Sequence, residues 1–176
     1  EGPLPEPHEE GAYYLPTQST RVDSLYAHCA AALDASLGLG VHGLPLIGTG
    51  DWNDGMNRVG HRGQGESVWL GWFLYANLEQ FAPLAQLRGD GQRAERWLAH
   101  AAKLKVALEA HGWDGAWYRR AYFDDGTPLG SSANDECRID AIAQSWGLIS
   151  GAAEPHRALR AMESVDRHLL RRGDDL

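Results

Sequence analysis

Residues 66–82 read ESVWLGWFLYANLEQFA. Wound at 3.6 residues per turn, Val68, Trp69, Leu70, Trp72, Phe73, Leu74, Tyr75, Leu78 and Phe81 leave almost no polar face. A helix that is apolar nearly all round is one buried on most sides. On both flanks the pattern changes. Residues 92–111 place Trp97, Ala101, Leu104 and Leu108 on one stripe, with Glu95, Arg96, Lys103, Lys105 and Glu109 for the wet side. Upstream, Asp23 can cap a helix carrying Leu25, Cys29, Ala32, Leu33 and Leu37, ending at Gly38 or Gly40. Downstream, residues 138–150 are again mostly apolar: Ile139, Ile142, Ala143, Trp146, Leu148 and Ile149. A fifth helix opens at Pro155, carries Leu159, Met162, Val165, Leu169 and Leu170, and stops at Gly173.

Amphipathic and buried helices therefore alternate. That predicts an all-α fold of two helical layers, an inner ring packed on both sides and an outer ring half in water. The competing reading is a plain helical bundle with long surface loops. The connections alternate too: residues 39–65 and 112–137 are long, 83–91 and 151–154 short. If neighbouring helices are antiparallel, both long loops lie on one face, at the N-terminal ends of the inner helices. Structureless loops longer than about 12–15 residues are usually functional or disordered. These two set aromatic and acidic residues among glycines, a composition that favours function.

The whole chain has 176 residues, with 16 Lys and Arg against 24 Asp and Glu, a formal charge of −8. An acidic chain without a basic run is a poor partner for nucleic acid or an anionic membrane surface. No uncharged apolar stretch approaches the ~20 residues needed to span a bilayer. Cys29 and Cys137 are too few and too far apart for a disulfide framework, and the eight His show no paired metal-ligand spacing. His28 beside Cys29 reads as a packed pair. The excess is aromatic, seven Trp and six Tyr beside three Phe, which suits a ligand with both apolar and hydroxylated faces. Residues 1–22, with Pro3, Pro5, Pro7 and Pro16, read as an extended lead-in to a helical segment over 23–176. Both ends read as cut from something longer, and no signal peptide is visible.

The first long loop holds GTGDWNDGMN at residues 48–57. Asp51 and Asp54 flank Trp52 and Asn53. An indole can stack on a sugar ring, an amide and a carboxylate can bond its hydroxyls, and one carboxyl can protonate a glycosidic oxygen. A dinucleotide fingerprint fails for want of a preceding strand and a third glycine at the proper spacing. A calcium loop starting at Asp51 fails because its twelfth position is Arg62 instead of Glu. A purely structural turn, with Trp52 in the core, remains open on residue chemistry alone.

The second loop interleaves Trp113, Trp117, Tyr118, Arg119, Arg120, Tyr122 and Phe123 before the turn signal Asp124-Asp125-Gly126. Trp117 and Arg119 are candidates for an aromatic, hydrogen-bonding sugar wall. Such interleaving also binds single-stranded nucleic acid, which the net charge and neighbouring acids disfavour. Residues 117–123 alternate well enough to form a small β-hairpin around that turn. Ser131, Ser132, Asn134 and Asp135 offer caps for the next helix. Asp140, Gln144 and Trp146 near its start are candidates to face the same opening, with plain packing as the other reading.

These residues carry a resemblance. The run GLPLIGTGDWNDGMN at 43–57 and GESVWLGWFL at 65–74 resemble glycoside hydrolase family 94, the cellobiose- and chitobiose-phosphorylase-like enzymes. The stretches SLYAHC at 24–29, WDGAWYRRAY at 113–122 and IAQSW at 142–146 match as well, most like the C-terminal phosphorylase region of cyclic β-1,2-glucan synthases. The resemblance implies an (α/α)6 barrel, of which five helices are about half. It implies inverting phosphorolysis of β-1,2-glucans with Asp54 as general acid and inorganic phosphate as co-substrate. It needs no other cofactor and no metal. Trp52, with Asn53 and Asp51, would line the subsite of the transferred sugar; Gln144 and Trp146 would lie near the leaving sugar. Asp51 is expected to orient the loop or hold sugar hydroxyls. The phosphate ligands find no match in these residues. Partners expected are a β-glucan oligosaccharide and the remainder of the same polypeptide, with no nucleic acid and no direct membrane contact. The place expected is the cytoplasmic side, within a bacterial inner-membrane protein. Rival readings are an (α/α)6 hydrolase using water and a non-catalytic carbohydrate-binding segment.

Overall fold

Five α-helices carry the structure, a computed structural model that describes residues 15, 18–20, 22–171 and 173, without the side chain of Asp54. The lead-in over 1–22 lies almost wholly outside the described residues. Helix α1, Leu25–Ala35, is capped by Ser24, whose hydroxyl accepts the Ala27 N–H. Asp23 was the expected cap; its carboxylate instead accepts the Ser24 N–H, one residue too early to reach the first helical turn. The described part of the fifth helix, α5, spans Pro155–Leu169 with Pro155 in its first turn as expected, and ends short of Gly173.

The all-apolar run becomes α2, Val68–Leu87, with Ser67 as its cap. It passes through Pro83, which the sequence pattern took as its end. Trp72 and Leu78 are fully buried, and they meet Ala94, Trp97, Ala101 and Leu104 of α3, Gly91–Ala107. The expected stripe of α3 is the buried one. Its alanines let two backbones approach around the large indoles of Trp72 and Trp97. Burying one such aromatic contributes on the order of 3 kcal/mol. The tail of the expected third helix widens into a π-helical turn, Leu108–Gly112. There Glu109 accepts the Tyr118 hydroxyl at 2.8 Å and the Arg157 guanidinium at 2.7 Å, tying the turn to α5.

Glu66 and Ser67, read from sequence as the start of the helix, are instead strand β1, Glu66–Ser67. It pairs antiparallel with β2, Ala121–Tyr122, which pairs with β3, Pro128–Leu129. The β2–β3 hairpin turns at residues 123–127, as the second loop's alternation suggested. The third strand is the addition. Glu66 is buried and takes three hydrogen bonds from the 42–44 turn: His42 N–H, Leu44 N–H and the His42 ring at 2.5 Å. His42 stacks on Tyr122 at 4.0 Å. This pins the start of the first long loop to the sheet.

Helix α4, Ala141–Ile149, is capped by Asp140, which accepts the Ile142 and Ala143 N–H groups. It packs on α2 and α5. The fold is mostly helical, with the largely apolar α2 and α4 beside the amphipathic α3 and α5. The stripe expected on α1 is not buried, since Leu25 and Ala32 are exposed and only Ala30 of that helix is buried. Leu148 and Ile149 at the end of α4 are nevertheless 55% and 66% exposed. Among the described residues the helices do not close into a ring. No described helix is long and apolar enough to cross a membrane.

Candidate active site

The two long loops meet at the N-terminal ends of α2 and α4, as the alternation of link lengths predicted. The Val68 N–H at the start of α2 donates to the Arg120 carbonyl at 3.1 Å. The Arg120 guanidinium, only 2% exposed, reaches across to the first loop. Its Nη1 and Nη2 each donate at 2.7 Å to one oxygen of Asp51. Ser67 Oγ donates to Asp51 Oδ2 at 2.7 Å while accepting the Leu70 N–H as the α2 cap. Asp51 Oδ1 also accepts the Asn53 N–H at 3.2 Å. On its other side, Arg120 Nε lies 3.6 Å from Asp140 Oδ2 at the α4 cap, and the Trp69 ring sits 6.0 Å from the guanidinium.

Gly130 makes room for this arginine. At φ +74°, a Cβ there would lie 2.7 Å from the Arg120 nitrogen and 2.9 Å from its Cβ. Burial alone would raise the Asp51 pKa. The Arg120 fork, the Ser67 hydroxyl and the Asn53 N–H outweigh it and hold the carboxyl below its usual range.

Beyond this anchor the loop turns outward. Trp52 is 72% exposed and Asn53 is exposed, so the reading of Trp52 as a core plug does not hold. Asp54 opens a short 3-10 turn, Asp54–Met56, in which the Met56 N–H donates to the Asn53 carbonyl at 3.1 Å. Its side chain lies outside the described residues. Farther along, Asp124 accepts the N–H groups of Arg62, Gln64 and Gly65, fixing the loop's return path. Those bonds and the nearby His61 hold Asp124 below the usual carboxylate range against the opposing effect of burial. An open cavity of about 340 Å³ lies against this return path, lined by Arg58, His61, Arg62 and Phe123 among others. Residues 51–53 stand outside it, with Trp52 and Asn53 exposed and the Asp51 side chain buried.

The other sequence candidates sit inward. Trp117 is buried, with its indole N–H donating to the Gly130 and Arg138 carbonyls at 3.0 and 2.9 Å. Gln144 is fully buried; its amide accepts the Tyr118 N–H and donates to the Tyr118 and Asp140 carbonyls. In effect a side-chain amide pairs with the second loop as a strand would. Arg119 donates to the His111 and Trp113 carbonyls and to Asp114. Trp146 is half-buried, edge-on to Trp69 and Phe73. The structure thus brings Asp51, Trp52 and Asn53 together and gives Trp117, Arg119 and Gln144 to holding the second loop.

Sequence reasoning gave no role to Arg120 or Ser67. Strand parity gave no signal for Arg120, because Trp117, Tyr118, Ala121 and Tyr122 are buried along with it. Among the described residues no group of three or more His, Cys, Asp or Glu could hold a metal.

Comparison with known proteins places the chain in a family. The family model for the glycosyl hydrolase 94 superfamily, catalytic domain, matches residues 8–173. The chain is 52% identical over 170 residues to the cyclic beta-(1,2)-glucan synthase NdvB of Rhizobium meliloti, covering 96% of this chain and 6% of that protein. It is 41% identical over 149 residues to the solabiose phosphorylase of Paenibacillus borealis, covering 83% of this chain and 19% of the relative. To the N,N'-diacetylchitobiose phosphorylase of Vibrio proteolyticus it is 34% identical over 150 residues, covering 84% and 18% respectively. The chain therefore spans less than a fifth of the length of each of these relatives.

Proposed function

The chain belongs to the glycosyl hydrolase 94 superfamily, and from that premise we propose that it is part of an inverting phosphorylase domain acting on β-1,2-glucans. Asp54 is the general acid and inorganic phosphate the nucleophile. A phosphate oxygen attacks the anomeric carbon from the face opposite the leaving sugar. The glycosidic C–O bond breaks, its electron pair goes to the oxygen, and Asp54 delivers the proton. The products are an α-glucosyl phosphate and a shortened glucan. Trp52 stacks on the transferred sugar and Asn53 bonds its hydroxyls.

The observation that carries this reading is the state of Asp51. Water-using inversion requires a second carboxylate some 6.5–9.5 Å from the acid to activate water. Both Asp51 oxygens are taken by Arg120, Ser67 and the Asn53 N–H, and its side chain is fully buried. That leaves it no role as a base and suits a reaction whose nucleophile is already an anion. For Asp54 to hold a proton near neutral pH, its pKa must stand above the ordinary value of about 4. Trp52 is exposed, so a sugar stacked on it desolvates the site, and the phosphate charge adds to that effect.

The groups that hold phosphate belong to parts of the polypeptide outside these 176 residues. So does any membrane attachment on the cytoplasmic side of a bacterial inner membrane. The rest of the barrel is the segment's principal partner.

The test is Asp54→Asn in the full-length enzyme, assayed for phosphorolysis of β-1,2-glucooligosaccharides. Loss of a general acid lowers kcat by about 10²–10⁴ with the helical CD signal intact. Near wild-type turnover refutes the assignment. Sugar release that is independent of phosphate moves the protein to the hydrolases.

A further inference from the structure

Arg120 is a buried cation that touches no open surface, yet it joins three elements. Its fork takes both oxygens of Asp51 in the first loop. Its Nη1 lies 3.2 Å from Ser67 Oγ, the α2 cap. Its Nε, which has no hydrogen-bond partner, faces Asp140 at the α4 cap. Asp51 in turn holds the Asn53 N–H, and the Asn53 carbonyl holds the turn that Asp54 opens. The chain of bonds from Arg120 to the backbone of residue 54 is therefore short and continuous. A bidentate guanidinium–carboxylate pair fixes orientation as well as distance, which a lysine ammonium does not.

We propose that Arg120 is the positioning residue of this site: through its two-pronged pair with Asp51 it fixes the backbone that presents Asp54 to the glycosidic oxygen. This rests on the reading of Asp54 as the general acid. The consequence is selective. A displacement of the order of 1 Å in a proton donor costs about 10² in rate, but only where the leaving group needs the proton. Fluoride leaves from carbon with the bonding electron pair and needs no acid. Phosphorolysis of β-glucosyl fluoride, releasing fluoride and α-glucosyl phosphate, bypasses Asp54 altogether.

The experiment compares kcat on β-1,2-glucooligosaccharide and on β-glucosyl fluoride, each with phosphate, in full-length wild type, Arg120→Lys and Asp54→Asn. Arg120→Lys keeps the charge and loses the fork. Its kcat on glucan is expected to fall about 100-fold while its kcat on the fluoride stays within about threefold. Effects on sugar binding through Trp52 are common to both substrates and cancel in the ratio. Ser67→Ala, which removes one bond to Asp51 and leaves the pair, should split the two substrates in the same direction by about three- to tenfold. It keeps the test decisive if Arg120→Lys does not fold.

Equal losses on both substrates in Arg120→Lys, or no split in Ser67→Ala when Arg120→Lys is insoluble, overturn the positioning role. If Asp54→Asn itself shows no split, the general-acid reading falls and takes this inference with it. A split in Asp54→Asn alone leaves that reading standing and removes Arg120 from it.

Discussion

Replacing Asp51 by Asn tests the anchor directly. The change keeps the side chain's shape and one acceptor oxygen but removes its charge. Arg120 then stays 2% exposed with its principal counter-ion gone. Removing one partner of a buried pair costs about 3–5 kcal/mol. Two features place this site at the lower end. The Asn carbonyl can still accept from one Nη, and the Asp140 carboxylate at 3.6 Å supplies part of the missing charge. A loss of about 3 kcal/mol is expected in urea unfolding followed by tryptophan fluorescence and far-UV CD. Trp69, over the guanidinium, is a local reporter. The contrast is Asp34→Asn, which weakens pairs to Arg93 and Arg96 that are 29% and 52% exposed. That change should cost about 1 kcal/mol or less. A double-mutant cycle of Asp51→Asn with Arg120→Met should show a coupling of about 2 kcal/mol or more. The reasoning is refuted by a cost for Asp51→Asn under 1 kcal/mol, or by a coupling near zero.

Other outcomes follow from the same geometry. Trp52→Ala should leave unfolding free energy within about 0.5 kcal/mol, as an exposed site. It should raise KM for the oligosaccharide about tenfold, or ~1.4 kcal/mol of lost stacking; an unchanged KM removes Trp52 from the sugar site. Gly130 and Gly115 both have positive φ, +74° and +90°, but only Gly130 faces backbone, while a Cβ on Gly115 meets nothing within 4 Å. Gly115→Ala should cost about 1–2 kcal/mol from strain, and Gly130→Ala about 1–3 kcal/mol more from the clash with Arg120. Equal melting temperatures for the two variants would contradict that. Asp51 and Asp124 both titrate below the usual carboxylate range in the folded chain. Their stabilisation is therefore complete above the unfolded value of about 4 and is lost as pH falls through their folded values. Urea midpoints across pH 2–7 should drop on the acid side, and less steeply in Asp51→Asn.

Much of the framework was legible in the sequence because helical periodicity is a local property. The stripe Trp97, Ala101, Leu104 and Leu108 needs no partner to be recognised, and all four are fully buried. Pro155 in a first turn and the turn at 124–126 are likewise written in adjacent residues. Strand β1 was not legible, because two residues become a strand only through a partner more than fifty positions away. Glu66 and Ser67 fit the helical run equally well until that pairing claims them. The site divides in the same way. The acid-and-indole chemistry of residues 51–54 is visible as composition. The division of labour between Arg119 and Arg120 is not, since neighbours of one type differ only in which side of the chain they leave. Gln144 illustrates the converse: a polar side chain near the expected opening is taken up by the backbones of Tyr118 and Asp140.

Among the described contacts, the side chains that steady the loop at residue 51 lie behind it. The Arg120 guanidinium and the hydroxyl of the α2 cap Ser67 grip Asp51 from its inner side, while Trp52 and Asn53 are exposed. A mount of that kind separates two evolutionary problems. The mount can stay constant while the groups opposite it are exchanged. Relatives with names as different as solabiose phosphorylase and N,N'-diacetylchitobiose phosphorylase resemble this chain over most of its length.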